Sequence, residues 1–291
     1  MKAVLASINK IKNSDINILI VGETGSGKEM VARAIHRGGS RKNEPLVSIN
    51  CAAIPQGLIE SELFGHEKGA FTGAYDKKAG KFELARGGTL FMDEVEDLSL
   101  EAQAKVLRLI ENKEFMRIGG NESIKVDVRI ICASNKDLLR EVKGKRFRQD
   151  LYYRVTGYCI QVPPLRERRE DIPDLAAEFL DEYSRDIGKA AKKLSKKAMD
   201  NLLHYSWPGN VRELQNVIAR AATLAGGQII TPELLGPNLS ADKGIKALKL
   251  KSVERKAIER ALAKSSGNLS RAAEILGIHR VTLYRKLKKN I

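Results

Sequence analysis

The sequence predicts an α/β fold, a parallel sheet flanked by helices, followed by an α-helical lid and an all-α helix-turn-helix domain. Three observations predict it. Near-continuous apolar runs at 16–21, 45–49, 89–92, 126–133 and 158–162 alternate with helical patterns, as strands buried on both faces require. Beyond Pro163-Pro164 the pattern is helical only, and Ile172, Leu175, Ala176, Phe179, Leu180 and Tyr183 fall on one helix face. The segment 241–291 holds 14 Lys and Arg against 4 Asp and Glu, most of the chain's formal net charge of +15.

These numbers bound the function. A chain of 291 residues that is 43% hydrophobic has room for two or three domains and a sizeable core. The basic segment points to a polyanionic partner, most simply DNA. Cys51, Cys132 and Cys159 are odd in number and far apart in apolar surroundings, which predicts reduced core thiols and no disulfide frame. The four histidines have no metal-ligand spacing. No apolar run approaches the roughly 20 residues of a membrane helix, and the start M-K-A-V-L-A-S-I turns polar too soon for a secretory signal. A cytoplasmic protein without membrane contact is expected.

Taken in order, a short helix over 4–11 leads into the strand 16–21. That strand runs into Gly22-Glu23-Thr24-Gly25-Ser26-Gly27-Lys28, and a helix follows over 29–36. Strand, glycine loop, Gly-Lys and helix form a phosphate-binding arrangement. Backbone N–H groups and the helix dipole face the phosphates, and Lys28 adds a point charge. Where the generic motif has Ser or Thr to ligate magnesium, this chain has Glu29. The second strand ends at Asn50, and a helix covers 58–64. The stretch 65–74, G-H-E-K-G-A-F-T-G-A, reads as a mobile glycine-rich loop with Phe71 as its apolar tip. Helix resumes over 78–84.

The third strand delivers Asp93 and Glu94 at its C-terminal end. Beside a phosphate loop, the first acid organises Mg²⁺ and the second polarises an attacking water. A helix over 100–112 and a hairpin over 115–125, turning at Gly119-Gly120-Asn121, precede the fourth strand. Asn135 sits at that strand's tip, where a polar side chain can sense the γ-phosphate. Arg148 and Arg154 lie in R-F-R-Q-D-L-Y-Y-R, readable as salt-bridged helix surface or as arginines acting on a neighbouring subunit. After the fifth strand and the Pro break come helices, one capped by Ser195 and one starting after the sharp turn Trp207-Pro208-Gly209-Asn210. A polar linker over 239–247 leads to a helix over 249–264, a short helix over 271–276 ended by Gly277, and a basic helix over 280–289.

The string Gly69-Ala70-Phe71-Thr72-Gly73-Ala74 resembles, letter for letter, the loop signature of the bacterial enhancer-binding proteins, the NtrC-type activators of sigma-54 RNA polymerase. W-P-G-N-V-R-E-L resembles that family's sensor II, and the C-terminal helices resemble its Fis-type DNA-binding domain. The resemblance runs from Ile16 to the end of the chain. It implies an AAA+ ATPase with an α/β part over 1–165, a lid over 166–238 and a Fis-type domain over 248–291. It implies ATP and Mg²⁺ as cofactors, with Gly22, Glu23, Thr24, Gly25, Ser26, Gly27, Lys28, Glu29, Asn135 and Arg212 at the nucleotide. Lys28, Asp93 and Glu94 would be catalytic, with Asp93 on the metal and Asn50 holding the Glu94 carboxylate. Arg148 and Arg154 would be fingers reaching a neighbouring copy, which requires a ring, from dimer up to hexamer. Gly69 to Ala74 would grip sigma-54 in the polymerase holoenzyme, supported by the hairpin. Arg280, Thr282, Tyr284, Arg285 and Lys286 would contact upstream enhancer DNA. The family commonly carries Glu at the position of Glu29. It often has Gly shortly after the acid pair, where this chain has Val95-Glu96, expected to be a small change that leaves the two acids untouched.

No receiver or ligand-sensing domain fits before Ile16, so either a regulatory segment has been trimmed or a separate regulatory protein supplies the signal. Two other readings compete. A helicase loader or protein remodeller would share the ATP site but has no use for GAFTGA. A DNA-binding repressor with a degenerate ATPase is opposed by the intact Lys28, Asp93 and Glu94.

Overall fold

A computed structural model of the chain describes residues 1–187, 192–236, 239, 258, 261, 262, 265, 268–279 and 282–284. The chain divides into two compact units, Met1–Ile230 and Thr231–Ile291.

The first unit is built on the parallel sheet. Its strands are β1 (Ile18–Val21), β2 (Leu46–Asn50), β5 (Thr89–Asp93), β8 (Arg129–Ser134) and β9 (Tyr158–Gln161), in the order β2-β5-β8-β1-β9. Every pairing among them is parallel. The central strands carry apolar middles, Ile18–Val21, Leu90–Met92 and Ile130–Ala133, because both faces are covered. On one face α1 (Lys2–Ile11) and α2 (Lys28–Gly38) pack Val4, Ile8, Val31 and Ile35 against Ile18, Ile20, Ile131 and Ile160. The other face is covered by α3 (Gln56–Phe64), α4 (Lys81–Leu84), α5 (Leu100–Asn112), α6 (Leu138–Lys143) and α7 (Gln149–Val155), which enclose Leu19, Leu90, Met92, Ile130 and Cys132. The α5 N-terminus is capped by Ser99, whose Oγ accepts from Ala102 N at 3.1 Å. Buried Arg129 at the start of β8 donates to the Ile11 and Lys12 carbonyls and so closes the C-terminus of α1.

Two short antiparallel pairs project from this body. β3 (Gly65–His66) pairs with β4 (Lys78–Ala79), and β6 (Glu114–Met116) with β7 (Ser123–Lys125). The second is the expected hairpin. The first corrects the expectation of helix from residue 78. Lys78 and Ala79 close the root of the 65–74 loop as a ladder, and helix starts only at Lys81. The fourth strand likewise begins at Arg129 rather than 126, although Val126 and Val128 are buried. Cys51 and Cys132 are core thiols, but Cys159, on the edge strand β9, is exposed.

After Pro164 the helices α8 (Ile172–Asp186), α9 (Lys196–His204) and α10 (Asn210–Leu224) follow, with α8 packed on α10 and a two-residue parallel pair, β10 (Lys193–Leu194) with β11 (Ile229–Ile230), at their side. Ser195 Oγ accepts from Ala198 N at 3.2 Å, the predicted cap of α9. Trp207 is fully buried, its indole N–H donates to the Leu202 carbonyl at 2.8 Å, and its φ is +49°. Left-handed backbone is unfavourable for a bulky residue. Burial, the indole bond and the Asn210 N–H to Trp207 carbonyl bond at 2.9 Å hold it there.

In the second unit α11 (Leu269–Ile275) is capped by Asn268, whose Oδ1 accepts from Ser270 N and Arg271 N. Gly277, at φ +64°, ends it. Ala272, Ala273, Leu283, Ile258 and Ala261 form its small core. Thr282 and Tyr284 are exposed, while Arg280, Arg285, Lys286 and most of the linker and the 249–264 helix lie outside the described residues.

Replacing Trp207 by Ala should cost about 3–5 kcal/mol of stability, as for other buried Trp truncations. Urea unfolding of the full chain measures it; a loss below about 1 kcal/mol would mean that the indole does not hold the turn.

Candidate nucleotide site

Parallel register brings the predicted residues together. Asn50 lies opposite Asp93, and Val21 opposite Ser134, so the loops after β1, β2, β5 and β8 share one edge of the sheet. Open α/β sheets bind ligands at that carboxyl edge. A cavity of about 250 Å³ there is lined by Thr24, Gly25, Gly27, Lys28, Glu29, Asn50, Asp93 and Glu94, together with Val211, Arg212 and Gln215 of the helical region.

The phosphate loop is shaped by its glycines. A Cβ on Gly22 would meet Ser26 Oγ and the Val162 carbonyl, each at 2.9 Å. Gly25, at φ +74°, lies against the Gly209 carbonyl, and Gly27, at φ +98°, caps α2 with open space where a side chain would be. Lys28 is buried, and its Nζ donates to the Gly22 carbonyl at 2.9 Å and the Glu23 carbonyl at 3.3 Å. Burial lowers the Lys28 pKa, and Asp93, Glu96 and Glu94 oppose that shift. Burial raises the Asp93 pKa, with Lys28 opposing. Ser26 Oγ is buried with no protein partner, one polar atom of the loop left for a ligand. Glu29 is exposed and bound by Arg33 at 2.7 Å.

Glu94 has φ +55°, a left-handed conformation that is strained for a side chain with a Cβ. Its Oε1 accepts from Asn135 Nδ2 at 3.3 Å. Asn50 lines the same cavity, but its Oδ1 accepts from Ala53 N at 3.0 Å, closing the turn after β2. The asparagine on Glu94 is therefore Asn135 and not Asn50. A turn one residue past the strand satisfies Asn50 locally. Glu96 also departs from expectation. It is buried at 6% exposure, and its Oε1 accepts from Asn135 N at 3.1 Å.

Sequence reasoning missed the groups that join the helical region to the phosphate loop. Arg166 forms a bidentate pair with Glu23 at 2.6 and 2.8 Å. Asn210 Nδ2 donates to Glu23 at 3.1 Å and to the Thr24 carbonyl at 3.2 Å. Buried Arg168 donates to the Ser26 carbonyl at 2.6 Å, and Val211 N and Arg212 N donate to the Gly25 carbonyl. The available signal was the density of Arg in P-P-L-R-E-R beside the Pro break. Arg212 itself is exposed at the cavity.

The remaining candidates lie elsewhere. Arg148 is exposed and bidentate to Asp150, the closer oxygen at 2.7 Å, and Arg154 is exposed in the last turn of α7; neither lines the cavity around Lys28. The loop from Gly69 to Ala74 also lies outside that cavity. It is a closed turn, with Gly69 N donating to the Ala74 carbonyl at 2.8 Å and Ala74 N to the Phe71 carbonyl at 3.0 Å. Gly69 and Gly73 have φ +81° and +108°, which the closure requires. Thr72 is exposed, Ala74 is buried, and Phe71 is 38% exposed with its ring edge-on to His66. Ala70 rests against Gly119 of the hairpin. Arg117 of the same hairpin pairs with Glu67 and Glu83, so the loop root is held by charge as well as by ladder.

Comparison with known proteins agrees with this architecture along the whole chain. Residues 1–161 match the sigma-54 interaction domain, 166–250 the AAA+ ATPase lid domain, and 249–289 the Fis family of bacterial regulatory proteins. The transcriptional regulatory protein ZraR of Klebsiella oxytoca is 48% identical over 296 residues, covering 99% of this chain and 67% of ZraR. The response regulator protein PilR of Pseudomonas aeruginosa is 46% identical over 301 residues, with the same coverage. The crystal structure of NtrX from Brucella abortus in complex with ADP superposes with a TM-score of 0.78 at 36% identity, over 99% of this chain and 67% of NtrX. The chain thus spans about two thirds of the length of these relatives. Among the described residues no helix is long and apolar enough to cross a membrane.

The Arg166 and Asn210 contacts hold the Glu23 carboxyl down at about 2, against 4.5 ordinarily. A depressed folded-state pKa contributes stability above the unfolded value and loses it as pH falls through the folded one. The stability difference between wild type and Glu23→Gln, read by urea unfolding, should be flat from neutral pH to about 4.5 and shrink as pH falls towards 2. A difference that does not change over that window would mean that the pair contributes nothing.

Proposed function

The chain belongs to the family of sigma-54-dependent transcriptional activators, AAA+ ATPases with a Fis-type helix-turn-helix domain. On that premise we propose that ATP hydrolysis at the Lys28 site drives the Gly69–Ala74 loop against sigma-54 and remodels the closed promoter complex into an open one. The observation that carries the proposal is the single cavity joining Lys28, Asp93 and Glu94 to Arg212 of the helical region.

The chemistry follows from the groups present. The N-terminus of α2 and the loop N–H groups receive phosphate oxygens, and Lys28 neutralises their charge. Glu94, oriented by Asn135, takes the proton of the attacking water. Mg²⁺, when bound, would screen the phosphate charge. Asp93 would supply one carboxylate ligand, with phosphate oxygens and water as the others, and among the described residues no cluster of three His, Cys, Asp or Glu could hold a metal alone. Asn50 stands at the cavity as a polar group free to exchange its turn contact for Glu94. Arg148 and Arg154, away from their own site, serve the site of the next subunit in a ring, up to a hexamer.

The domain division 1–165, 166–238, 239–247 and 248–291 belongs to the same proposal; matches over 1–161 and from 249 support its first and last parts, while the lid match runs from 166 to 250, across the linker. The basic C-terminal segment holds the ring to upstream enhancer DNA through Arg280, Thr282, Tyr284, Arg285 and Lys286. The exposure of Thr282 and Tyr284 supports that reading. The protein acts in the bacterial cytoplasm on the sigma-54 holoenzyme, under a signal supplied by a separate regulatory protein or a further segment.

Thr72→Ala tests the loop. Thr72 is exposed and lies outside the nucleotide cavity, so the variant should keep its melting temperature and ATP turnover but fail to bind sigma-54 or open a sigma-54 promoter. A stable Thr72→Ala protein that opens promoters normally would sink the role of this contact.

The fingers are tested by mixing. Arg148→Ala and Arg154→Ala should each lose ATPase activity, and mixing either with inactive Lys28→Ala protein should restore part of it. One interface then combines an intact finger with an intact phosphate loop. Absence of rescue in confirmed mixed rings would place both arginines outside the trans role.

A further inference from the structure

We propose that Glu96 is a positioning residue for ATP hydrolysis: through the backbone of Asn135 it sets the hydrogen bond that Asn135 makes to Glu94. The inference rests on the proposed role of Glu94 as the group that activates water.

Four observations carry it. Glu96 sits in the 3₁₀ turn Val95–Asp97 directly after Glu94 and is 6% exposed. Its Oε1 accepts from Asn135 N at 3.1 Å, while the side chain of the same Asn135 donates to Glu94 Oε1 at 3.3 Å. Asn135 lies one residue beyond the end of β8, where ladder pairing has stopped at Ser134, so its N–H needs a partner from outside the sheet. The Glu96 carboxylate is that partner. Its other oxygen, Oε2, is buried with no protein partner.

Packing alone does not account for this arrangement. A buried carboxylate is costly, and one with an unpaired oxygen more so. An apolar side chain of the same length would fill the space without that cost. What a carboxylate adds is a charge-assisted acceptor for a backbone N–H at the strand tip. A neighbouring tie reinforces the same joint, since Asp97 Oδ1 pairs with Lys136 Nζ at 2.8 Å. The turn after Glu94 and the tip after β8 are therefore bound at two successive residues. With backbone N–H and side-chain amide both fixed, Asn135 has little freedom in where it places Glu94.

The test compares Glu96→Met, Glu96→Gln, Asn135→Ala and Glu94→Ala in the full chain by kcat, KM for ATP, nucleotide affinity and melting temperature. Met matches Glu in length and cannot accept the bond; Gln keeps an amide oxygen that can. Glu96→Met should lower kcat about tenfold with nucleotide affinity within about twofold of wild type, the pattern of an interaction lost in the transition state. Glu96→Gln should recover most of that loss. Combining Glu96→Met with Asn135→Ala should be no slower than Asn135→Ala alone, because both act through one bond. Wild-type kcat in Glu96→Met, equal losses in Met and Gln, or multiplying losses in the double variant would each overturn the inference. If Glu96→Met does not fold, the Gln variant decides: a kcat loss as large as that of Asn135→Ala overturns it, and near-normal turnover supports it. Glu94→Ala separates the two levels. An active Glu94→Ala protein refutes the role of Glu94 itself, while an inactive one beside a normal Glu96→Met refutes Glu96 alone.

Discussion

Parallel pairing makes β1, β2, β5 and β8 end level, and the groups proposed to act on nucleotide from the sheet hang from that edge. Asn50 opposite Asp93 and Val21 opposite Ser134 are consequences of register alone. A one-residue slip in β5 would turn Asp93 to the other face and bring Met92 or Glu94 to its place. The buried, near-continuous apolar strands guard against such a slip, because both cores would have to repack at once. The placement of these groups is thus a by-product of core packing.

The edge is completed from outside the sheet. Three stretches of the helical region, at Arg166, Arg168 and Asn210–Arg212, reach the loop 22–28. They bind it at its carbonyls and at Glu23 and not at its N–H groups, of which those of Gly22 and Ser26 are bonded to the Ser134 and Glu23 carbonyls. The loop is consequently shaped by two parts of the chain. The charges follow the same plan. Lys28 feels the attraction of Asp93, Glu96 and Glu94, while its Nζ is held by the Gly22 and Glu23 carbonyls, so a ligand gains the ammonium by taking over those carbonyl contacts.

Much of this was legible before any coordinates. The five strands, the phosphate loop, the acid pair, the hairpin and the Ser195 cap were readable because each leaves a local imprint: apolar runs, glycines where a Cβ or φ forbids anything else, a polar residue at a helix start. Glu96, Arg166, Arg168 and Asn210 were passed over for the opposite reason. The partners of Arg166 and Asn210 lie more than 140 residues away, and nothing local distinguishes a long-range acceptor from solvent. The sequence pairs Asn50 with Glu94, and its bond from Ala53 N belongs to a turn whose geometry composition does not encode. Lys78 and Ala79 looked helical because the ladder that claims them is only two residues long.

The distribution of the three thiols has a practical use. Cys51 and Cys132 are buried, and burial raises both thiol pKa values, to about 12 for Cys132, so they stay protonated and slow to react at neutral pH. Cys159 is exposed on β9 and borders a cavity of about 650 Å³ that it shares with Gly22, Glu23, Asn135 and Arg166. Partial covering raises its pKa as well, which slows its reaction, but its exposure leaves it open to reagents. The native chain thereby carries its own attachment point for a thiol-reactive fluorophore. A dye placed there would sit beside both the strand tip and the Arg166–Glu23 pair, and could follow nucleotide-driven rearrangement optically without an engineered cysteine.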